Sequence, residues 1–290
     1  MDIQSLSVVV PGGCPNACAF CVSRMHDSPY PNRMEEPGGD RALYEREFQA
    51  RMAFARDNGC NNLLLTGQGE PVVNRVFLER LALWNTGLAK PFRWLELQTS
   101  GVTLDPDGLR WLRTTVGIST LSLSLSDQFD SAANAYINGT PPGMEVDIDA
   151  LCLAVKKQDL TLRLSLNMTD RYNERPVAEL FRRARELGAD QVTFRKLYGS
   201  GTGCAEDRWV AEHSVRPGFW DDAGDYVRSR GRALETLPFG ATRWSVDGLS
   251  TVLDDDCMST VGDKPAIRYL ILRPDARLYT KWDDPASRLF

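Results

Sequence analysis

The chain has 290 residues, of which 42% are hydrophobic and 25% charged, and its formal net charge is −5. This composition is typical of a globular protein with one large domain or two modest ones, and it leaves room for a sizeable core. The acidic balance argues against nucleic acid as a partner, because contacts from Lys and Arg to phosphates supply much of nucleic-acid affinity.

The N-terminal residues lack the basic flank, the long apolar stretch and the small-residue cleavage site of a signal peptide. No apolar run approaches the roughly 18 residues that indicate a membrane span. We therefore expect a cytoplasmic protein without membrane contact. In a reducing compartment, the seven cysteines are expected to be metal ligands, catalytic groups or core residues and not disulfides.

Short β-rich runs alternate with longer helical patterns over the first two thirds of the chain. The predicted strands are Leu6–Val10, Asn62–Thr66, Trp94–Thr99, Leu121–Ser126, Leu160–Asn167 and Gln191–Leu197. The predicted helices cover residues 40–59, 74–87, 106–115, 148–158 and 177–188. Six strands that alternate with helices indicate right-handed βαβ units and a parallel sheet, so the predicted fold is α/β, a partial (β/α)6 barrel.

The pattern changes after Leu197. A glycine-rich loop covers residues 198–209, and a helix is predicted around Trp220–Leu234. Two hairpins follow, one with its turn at Asp247-Gly248 and one with its turn at Pro274-Asp275. We therefore predict a barrel core over residues 1–200 and a C-terminal segment over residues 201–290, which closes the open side of the sheet and borders the substrate.

Three cysteines, Cys14, Cys18 and Cys21, follow the first predicted strand with C-x3-C-x2-C spacing. In this position three sulfurs can point at one centre. A structural zinc ion normally takes four ligands, and the nearest candidate for the fourth is His26. A [4Fe–4S] cluster held by three thiolates instead leaves one iron without a protein ligand, which provides a place for a substrate or cofactor.

The sequence "CPNACAFC" resembles the radical S-adenosylmethionine (radical SAM) signature, in which an aromatic residue precedes the last cysteine; Phe20 is that aromatic residue here. The resemblance implies that Cys14, Cys18 and Cys21 bind a [4Fe–4S] cluster and that S-adenosylmethionine chelates the open iron. It also implies that an external electron donor such as flavodoxin or ferredoxin reduces the cluster. The reduced cluster then cleaves the cofactor, and a 5′-deoxyadenosyl radical abstracts a hydrogen atom from the substrate.

A second segment, "TGQGEP" over residues 66–71, follows the second predicted strand and resembles the GGEP segment of the same family, although Gln68 interrupts the glycine pair. Glycines let backbone carbonyls approach a ligand closely, and a carboxylate suits an ammonium group. The resemblance implies that Gly67, Gln68, Gly69 and Glu70 hold the methionine end of the cofactor. A metal-binding module that only recruits a partner, the non-enzymatic alternative, would not need this segment.

Polar residues also end the later strands, where parallel α/β folds bind ligands. Thr99 and Ser100 resemble the T-x-G at this point in relatives, and Arg195 suits a carboxylate. Ser126 is preferred over Ser124 because it lies nearer the strand end. The further candidates for cofactor binding are thus Thr99, Ser100, Ser126, Asn167 and Arg195.

Two late cysteines, Cys204 and Cys257, are the candidate catalytic residues, since either could donate a hydrogen atom or carry a methyl group. The segment "GQGEPVVN" also resembles GxGEPxxN of radical SAM RNA (adenine) methyltransferases, in which Cys257 would be the methyl-carrying residue. A glycyl-radical-enzyme activase is a further alternative. The preferred substrate is a small molecule or a peptide.

Overall fold

The computed structural model describes residues 2–26, 39–237, 240–255, 266–282 and 284–290. Its strands are β1 Asp2–Val10, β2 Asn62–Gly67, β3 Trp94–Thr99, β4 Thr120–Leu125, β5 Thr161–Asn167, β6 Gln191–Arg195, β7 Gly231–Thr236, β8 Thr242–Val246, β9 Leu249–Asp254, β10 Ala266–Leu272 and β11 Leu278–Tyr279. Its α-helices are α1 Val22–Met25, α2 Arg41–Asp57, α3 Arg75–Thr86, α4 Pro106–Trp111, α5 Ser131–Ile137, α6 Ile148–Lys157, α7 Val177–Glu186, α8 Ala205–His213 and α9 Pro217–Arg230.

The strands form one sheet in the order β11-β10-β1-β2-β3-β4-β5-β6-β9-β8-β7. Neighbours from β1 to β6 are parallel, and β10 and β9 add a parallel strand at each end of this run. Strands β11, β8 and β7 pair antiparallel beyond them. The sheet is not closed, and the predicted α/β fold with an open, partial barrel is confirmed.

Apolar and polar residues alternate along the strands, so that one face of the sheet is apolar and the other is polar. On β4, Leu121, Leu123 and Leu125 belong to the main hydrophobic core beneath the helices, whereas Ser122 and Ser124 line the interior of the barrel. Successive side chains of a strand point to opposite faces, so the repeat "LSLSLS" gives the barrel an apolar outside and a polar inside. The polar inside is what allows the barrel to hold a polar ligand.

Most helix predictions agree with the structure to within a few residues at each end, and two differ in kind. The predicted helix over Trp220–Leu234 ends at Arg230, and strand β7 begins at Gly231. A Cβ on Gly231 would lie 2.5 Å from the carbonyl oxygen of Val227, so the residue's lack of a side chain permits this change of direction. Helix α8 begins at Ala205, inside the region predicted as a glycine-rich loop, and ends at His213, beyond that region.

Both predicted C-terminal hairpins are present. Asp247 and Gly248 have φ values of 48° and 87°, as the two central residues of a type I′ hairpin turn require. The boundary near residue 200 stays a prediction, although β9 and β10, both beyond it, are hydrogen-bonded to β6 and β1. No helix in the described part of the chain combines the length and the apolar character needed to cross a bilayer.

Candidate active site

A cavity of about 330 Å³ opens at the carboxyl ends of the parallel strands. It collects residues that are far apart in the sequence, and many of them follow or end a strand. Among the predicted site residues, its wall includes Cys14, Cys18, Phe20, Cys21, Gly67, Gln68, Gly69, Glu70, Thr99, Ser100, Asn167 and Arg195. The structure thus brings the cysteine loop and the "GQGE" segment together around one space.

The cysteine loop runs from the end of β1 to the start of α1. Cys14 is exposed, while Cys18 and Cys21 are partly exposed. Partial burial, together with the charge of neighbouring groups that include thiols of the trio, raises the pKa of the Cys14 thiol and raises that of Cys18 to about 12. Thiols that resist ionisation side by side become stable thiolates when a metal centre supplies compensating positive charge. The donor set therefore fits a metal centre in this loop.

The number of cysteines in the loop suits a cluster. Within the described ranges, no three His, Cys, Asp or Glu side chains are grouped closely enough to hold one metal ion. Tetrahedral zinc would require sulfurs about 3.8 Å apart, since each Zn–S bond is about 2.3 Å long. In a [4Fe–4S] cluster each thiolate binds a different iron, so the sulfurs lie further apart. Three cysteines on one cavity wall match the number of protein ligands that leaves one iron of a [4Fe–4S] cluster open.

The glycines of the "GQGE" segment pack directly against the cysteine loop. The Glu70 amide donates a hydrogen bond to the carbonyl oxygen of Gly13 at 3.1 Å, and Asn74 Nδ2 donates to that of Pro11 at 2.8 Å. A Cβ on Gly69 would lie only 2.2 Å from the Gly13 oxygen. Close approach of a ligand to Gly67 and Gly69 stays a prediction, and the structure shows that Gly69 also packs closely against the cysteine loop.

Gly69→Ala is expected to displace the cysteine loop and to destabilise the fold by about 1–3 kcal/mol, the usual cost of forcing an extra carbon into a packed site. The atoms it meets are backbone atoms of Gly13, which cannot move away as a flexible side chain can. Urea unfolding and iron content after reconstitution measure the two effects. Gly143→Ala is a matched control, because a Cβ at Gly143 meets no atom within 4 Å, although its φ of +82° carries a backbone cost of its own. Equal iron content in the two variants would contradict the packing argument.

The end of helix α5 supports the loop from a second direction. The Ala17 amide donates hydrogen bonds to the carbonyl oxygens of Asn138 and Gly139, both at 3.1 Å. Gly139 has a φ of +55°, and a Cβ there would lie 2.7 Å from the Ala17 oxygen. The sequence analysis missed this contact. The glycine after α5 was the available signal, but nothing local to it points to a loop more than 100 residues earlier.

Glu70 is nearly fully buried and orders the end of β3. Its carboxylate accepts hydrogen bonds from Thr99 Oγ1 at 2.6 Å and from the amide and hydroxyl of Ser100 at 2.9 and 2.7 Å. Two of these three bonds fall on Oε2 and one on Oε1. Because each carboxylate oxygen can accept about two hydrogen bonds, Oε1 keeps capacity for a further donor such as an ammonium group.

Ser124 and Ser126, the two serine candidates near the end of β4, lie in different surroundings. Ser126 is fully buried, donates to Asn138 Oδ1 at 2.8 Å and lies outside the cavity wall. Ser124 lies on the wall instead, because β4 ends at Leu125 and Ser126 already belongs to the turn toward α5. Asn167 connects the two environments, since it lines the cavity and its Nδ2 approaches Ser126 Oγ at 3.5 Å. A direct role for Ser126 stays a prediction.

Helix α8 covers the loop on the side of Cys18 and Cys21. The rings of Phe20 and Trp209 lie 5.5 Å apart between centroids, and Arg24 Nε lies 3.3 Å from Glu206 Oε1. Arg24 also donates to the carbonyl oxygens of Cys18 and Ala17. Phe20, predicted to bind the cofactor, therefore has an additional packing role. Arg24, Glu206 and Trp209 were missed by sequence reasoning.

Of the two candidate catalytic cysteines, Cys204 is not part of this group of residues. Cys204 begins α8, where its Sγ accepts a hydrogen bond from the Asp207 amide at 3.4 Å, and it packs near Met25, Leu197 and Val210. It does not line the cavity. Cys257 lies outside the described residues. The catalytic role of either cysteine stays a prediction.

Comparison with known proteins gives structural matches only. No protein-family model matches the chain, and no curated protein matches it in sequence. The solved structure of polyhistidine-tagged anSMEcpe with bound AdoMet aligns with a TM-score of 0.59 at 13% identity, covering 99% of this chain and 77% of that one. Coproporphyrinogen III oxidase (HemN) from Escherichia coli, a radical SAM enzyme, aligns with a TM-score of 0.54 at 15% identity, covering 80% and 54%.

Native anSMEcpe with bound AdoMet and the Cp18Cys peptide also aligns, with a TM-score of 0.57 at 13% identity over 100% of this chain and 77% of that one. These TM-scores show a shared fold, and at identities this low the comparison shows the fold alone. The chain therefore has the fold found in radical SAM enzymes, and the predicted barrel type is confirmed.

Proposed function

We propose that this protein is a radical SAM enzyme. The observation that carries the proposal is the meeting of Cys14, Cys18 and Cys21 with the "GQGE" segment around one cavity, in a fold shared with radical SAM enzymes. The [4Fe–4S] cluster and S-adenosylmethionine would supply reductive cleavage to a 5′-deoxyadenosyl radical, which abstracts a hydrogen atom from the substrate. Structural neighbours are described with bound AdoMet, which supports the choice of cofactor.

The residues of this chain would bind and orient that cofactor. Glu70 offers Oε1 to the ammonium group, and its bonds to Thr99 and Ser100 fix the direction of the carboxylate. Arg195, at the end of β6, suits the carboxylate of the cofactor, because a guanidinium can bind both oxygens. Asn167 adds a neutral amide to the same wall. Because Glu70 is negative and Arg195 is positive, the ammonium group and the carboxylate of the methionine end would each face a residue of opposite charge. This would fix the orientation of the cofactor.

The substrate is proposed to be a small molecule or a peptide that enters the same cavity. Tyr198, Tyr269 and Trp282 line it together with the cofactor residues, and aromatic rings offer large contact area with polar edges. One structural neighbour is described with a bound peptide, which favours a peptide among these classes. An external protein such as flavodoxin or ferredoxin would supply the electron.

Reconstitution of the wild-type protein tests the proposal. With iron and sulfide under anaerobic conditions, it is expected to bind about four irons per chain and to absorb at about 400 nm, as a [4Fe–4S] cluster does. Dithionite and S-adenosylmethionine should then give 5′-deoxyadenosine, detected by mass spectrometry, and omission of dithionite should prevent it. Zinc bound in place of iron, or a full cluster without 5′-deoxyadenosine, would contradict the proposal.

A further inference from the structure

The side chain of Arg24 connects the cysteine loop to helix α8. Its Nη2 donates to the carbonyl oxygen of Cys18 and, at 3.4 Å, to that of Ala17. Its Nε lies 3.3 Å from Glu206 Oε1, in the first turn of α8. One guanidinium thus contacts two carbonyl groups of the loop and one carboxylate of a helix that is far away in the sequence.

The surroundings hold this ion pair in place. The Arg24 side chain is 47% exposed, but that of Glu206 is only 16% exposed. The Phe20–Trp209 ring contact also joins the cysteine loop to α8. Met25 of α1 and Val210 of α8 belong to one small buried cluster. An exposed ion pair contributes little to stability. The importance of this pair follows from its position, since it lies beside the backbone between two of the candidate cluster ligands.

We infer that Arg24 and Glu206 are positioning residues that set the reduction potential of the cluster, an inference that rests on the proposed function. Reduction adds one negative charge to the cluster. The guanidinium favours that charge, the carboxylate opposes it, and both are close enough for incomplete screening by salt. Cluster potentials respond to net charge, to hydrogen bonds to the sulfurs and to solvent exposure, and this pair acts through the first of these.

Removing the charge of Arg24 and removing the charge of Glu206 should shift the reduction potential of the cluster in opposite directions. Arg24→Gln leaves Glu206 without this cation and is expected to shift the one-electron reduction equilibrium about 3- to 10-fold against reduction, where tenfold corresponds to 59 mV. Glu206→Gln leaves Arg24 without its carboxylate and should shift the equilibrium in the favourable direction by a similar factor. Redox titration followed by electron paramagnetic resonance measures both shifts, with iron content per chain determined in parallel. Both shifts should shrink at high salt.

A conservative variant and a matched pair separate this role from general destabilisation. Arg24→Lys keeps the charge and should restore most of the wild-type potential. Arg182→Gln and Glu186→Gln break an exposed ion pair of the same type on α7, with a separation of 3.1 Å, and should leave the potential unchanged. If Arg24→Gln loses the cluster altogether, Glu206→Gln still decides the question, because its potential must rise.

Shifts of the same sign in Arg24→Gln and Glu206→Gln, or no shift in a fully loaded Glu206→Gln protein, would overturn the inference. Failure of the proposed function has a different signature, because the wild-type protein would then bind no iron or would not cleave the cofactor. A cluster of normal iron content with unchanged potential in both variants would refute the charge effect and leave the proposed function intact.

Discussion

Cys18→Ala is expected to abolish stable cluster binding and to reduce 5′-deoxyadenosine formation to the level of a protein-free control. With only three thiolates in the loop, loss of one leaves two irons of a [4Fe–4S] cluster without a protein ligand. Cys18 lies in the middle of the trio, and the loop has no fourth cysteine that could replace it. Iron content, absorbance at about 400 nm and mass spectrometry of the products measure the loss.

Cys204→Ala is the matched control. It also removes one partly exposed thiol near the loop, but Cys204 does not line the cavity, so the cluster and cofactor cleavage should be retained. If Cys204 takes part in catalysis, only conversion of the substrate should be lost. A Cys18→Ala protein with full iron content and normal 5′-deoxyadenosine formation would contradict the ligand assignment.

The core strands were predictable because each carries a local signal. The run "LSLSLS" shows the period of two, and β3 has the predicted bounds Trp94–Thr99. The Asp247-Gly248 turn was predictable for a different reason, since its backbone requires positive φ at both positions and the residue types permit it. Signals of this kind lie within a few residues of the structure that they specify.

Long-range pairing left no such signal. A hairpin turn specifies that β8 pairs with β9, but it does not specify that β9 pairs in parallel with β6 or that β10 pairs in parallel with β1. The start of α8 was missed for a local reason, because Cys204 occupies the N-cap, where Ser, Thr, Asp and Asn are the usual residues. Strand β7 was not predicted because it follows α9 directly and its sequence, "GRALET", contains Arg, Ala, Leu and Glu, which are common in helices.

The residues that form the candidate site were easier to predict from the sequence than the contacts between them. Parallel strands end at one edge of a sheet, so the cysteine loop and the "GQGE" segment were expected to meet, and they line one cavity. The sequence could not show that Gly69 packs against Gly13 or that Thr99 hydrogen-bonds Glu70. These contacts depend on backbone paths and side-chain directions that are fixed only when distant segments pack together.

An ion pair connects the two ends of the parallel run of strands. Asp254 ends β9, Arg268 lies on β10, and Arg268 Nη2 donates to both carboxylate oxygens at 3.0 and 2.9 Å. The two residues are only 5% and 4% exposed. Because β9 and β10 are separated by the whole width of the parallel run in the strand order, this pair joins the edges that an open barrel leaves apart. It also lies near the site, since Asp254 is the register partner of Arg195.

Asp254→Ala is therefore expected to lower the free energy of unfolding by about 3–5 kcal/mol, the usual cost of removing one partner of a buried ion pair. Most of this cost arises from the desolvated guanidinium of Arg268, which would lose its carboxylate, so the double variant Asp254→Leu/Arg268→Met should recover most of the loss. Urea unfolding followed by circular dichroism measures each variant.

Asp225→Ala provides the comparison at the surface, because Asp225 forms a 2.7 Å ion pair with Arg228 in which both side chains are more than half exposed. That variant should cost at most about 1 kcal/mol, since exposed pairs gain little and are screened by salt. A cost for Asp254→Ala no larger than that of Asp225→Ala, or a double variant less stable than Asp254→Ala, would show that the pair does not stabilise the junction between β9 and β10. The expected large difference would instead place part of the barrel's stability in a single buried contact beside the proposed cofactor residue Arg195.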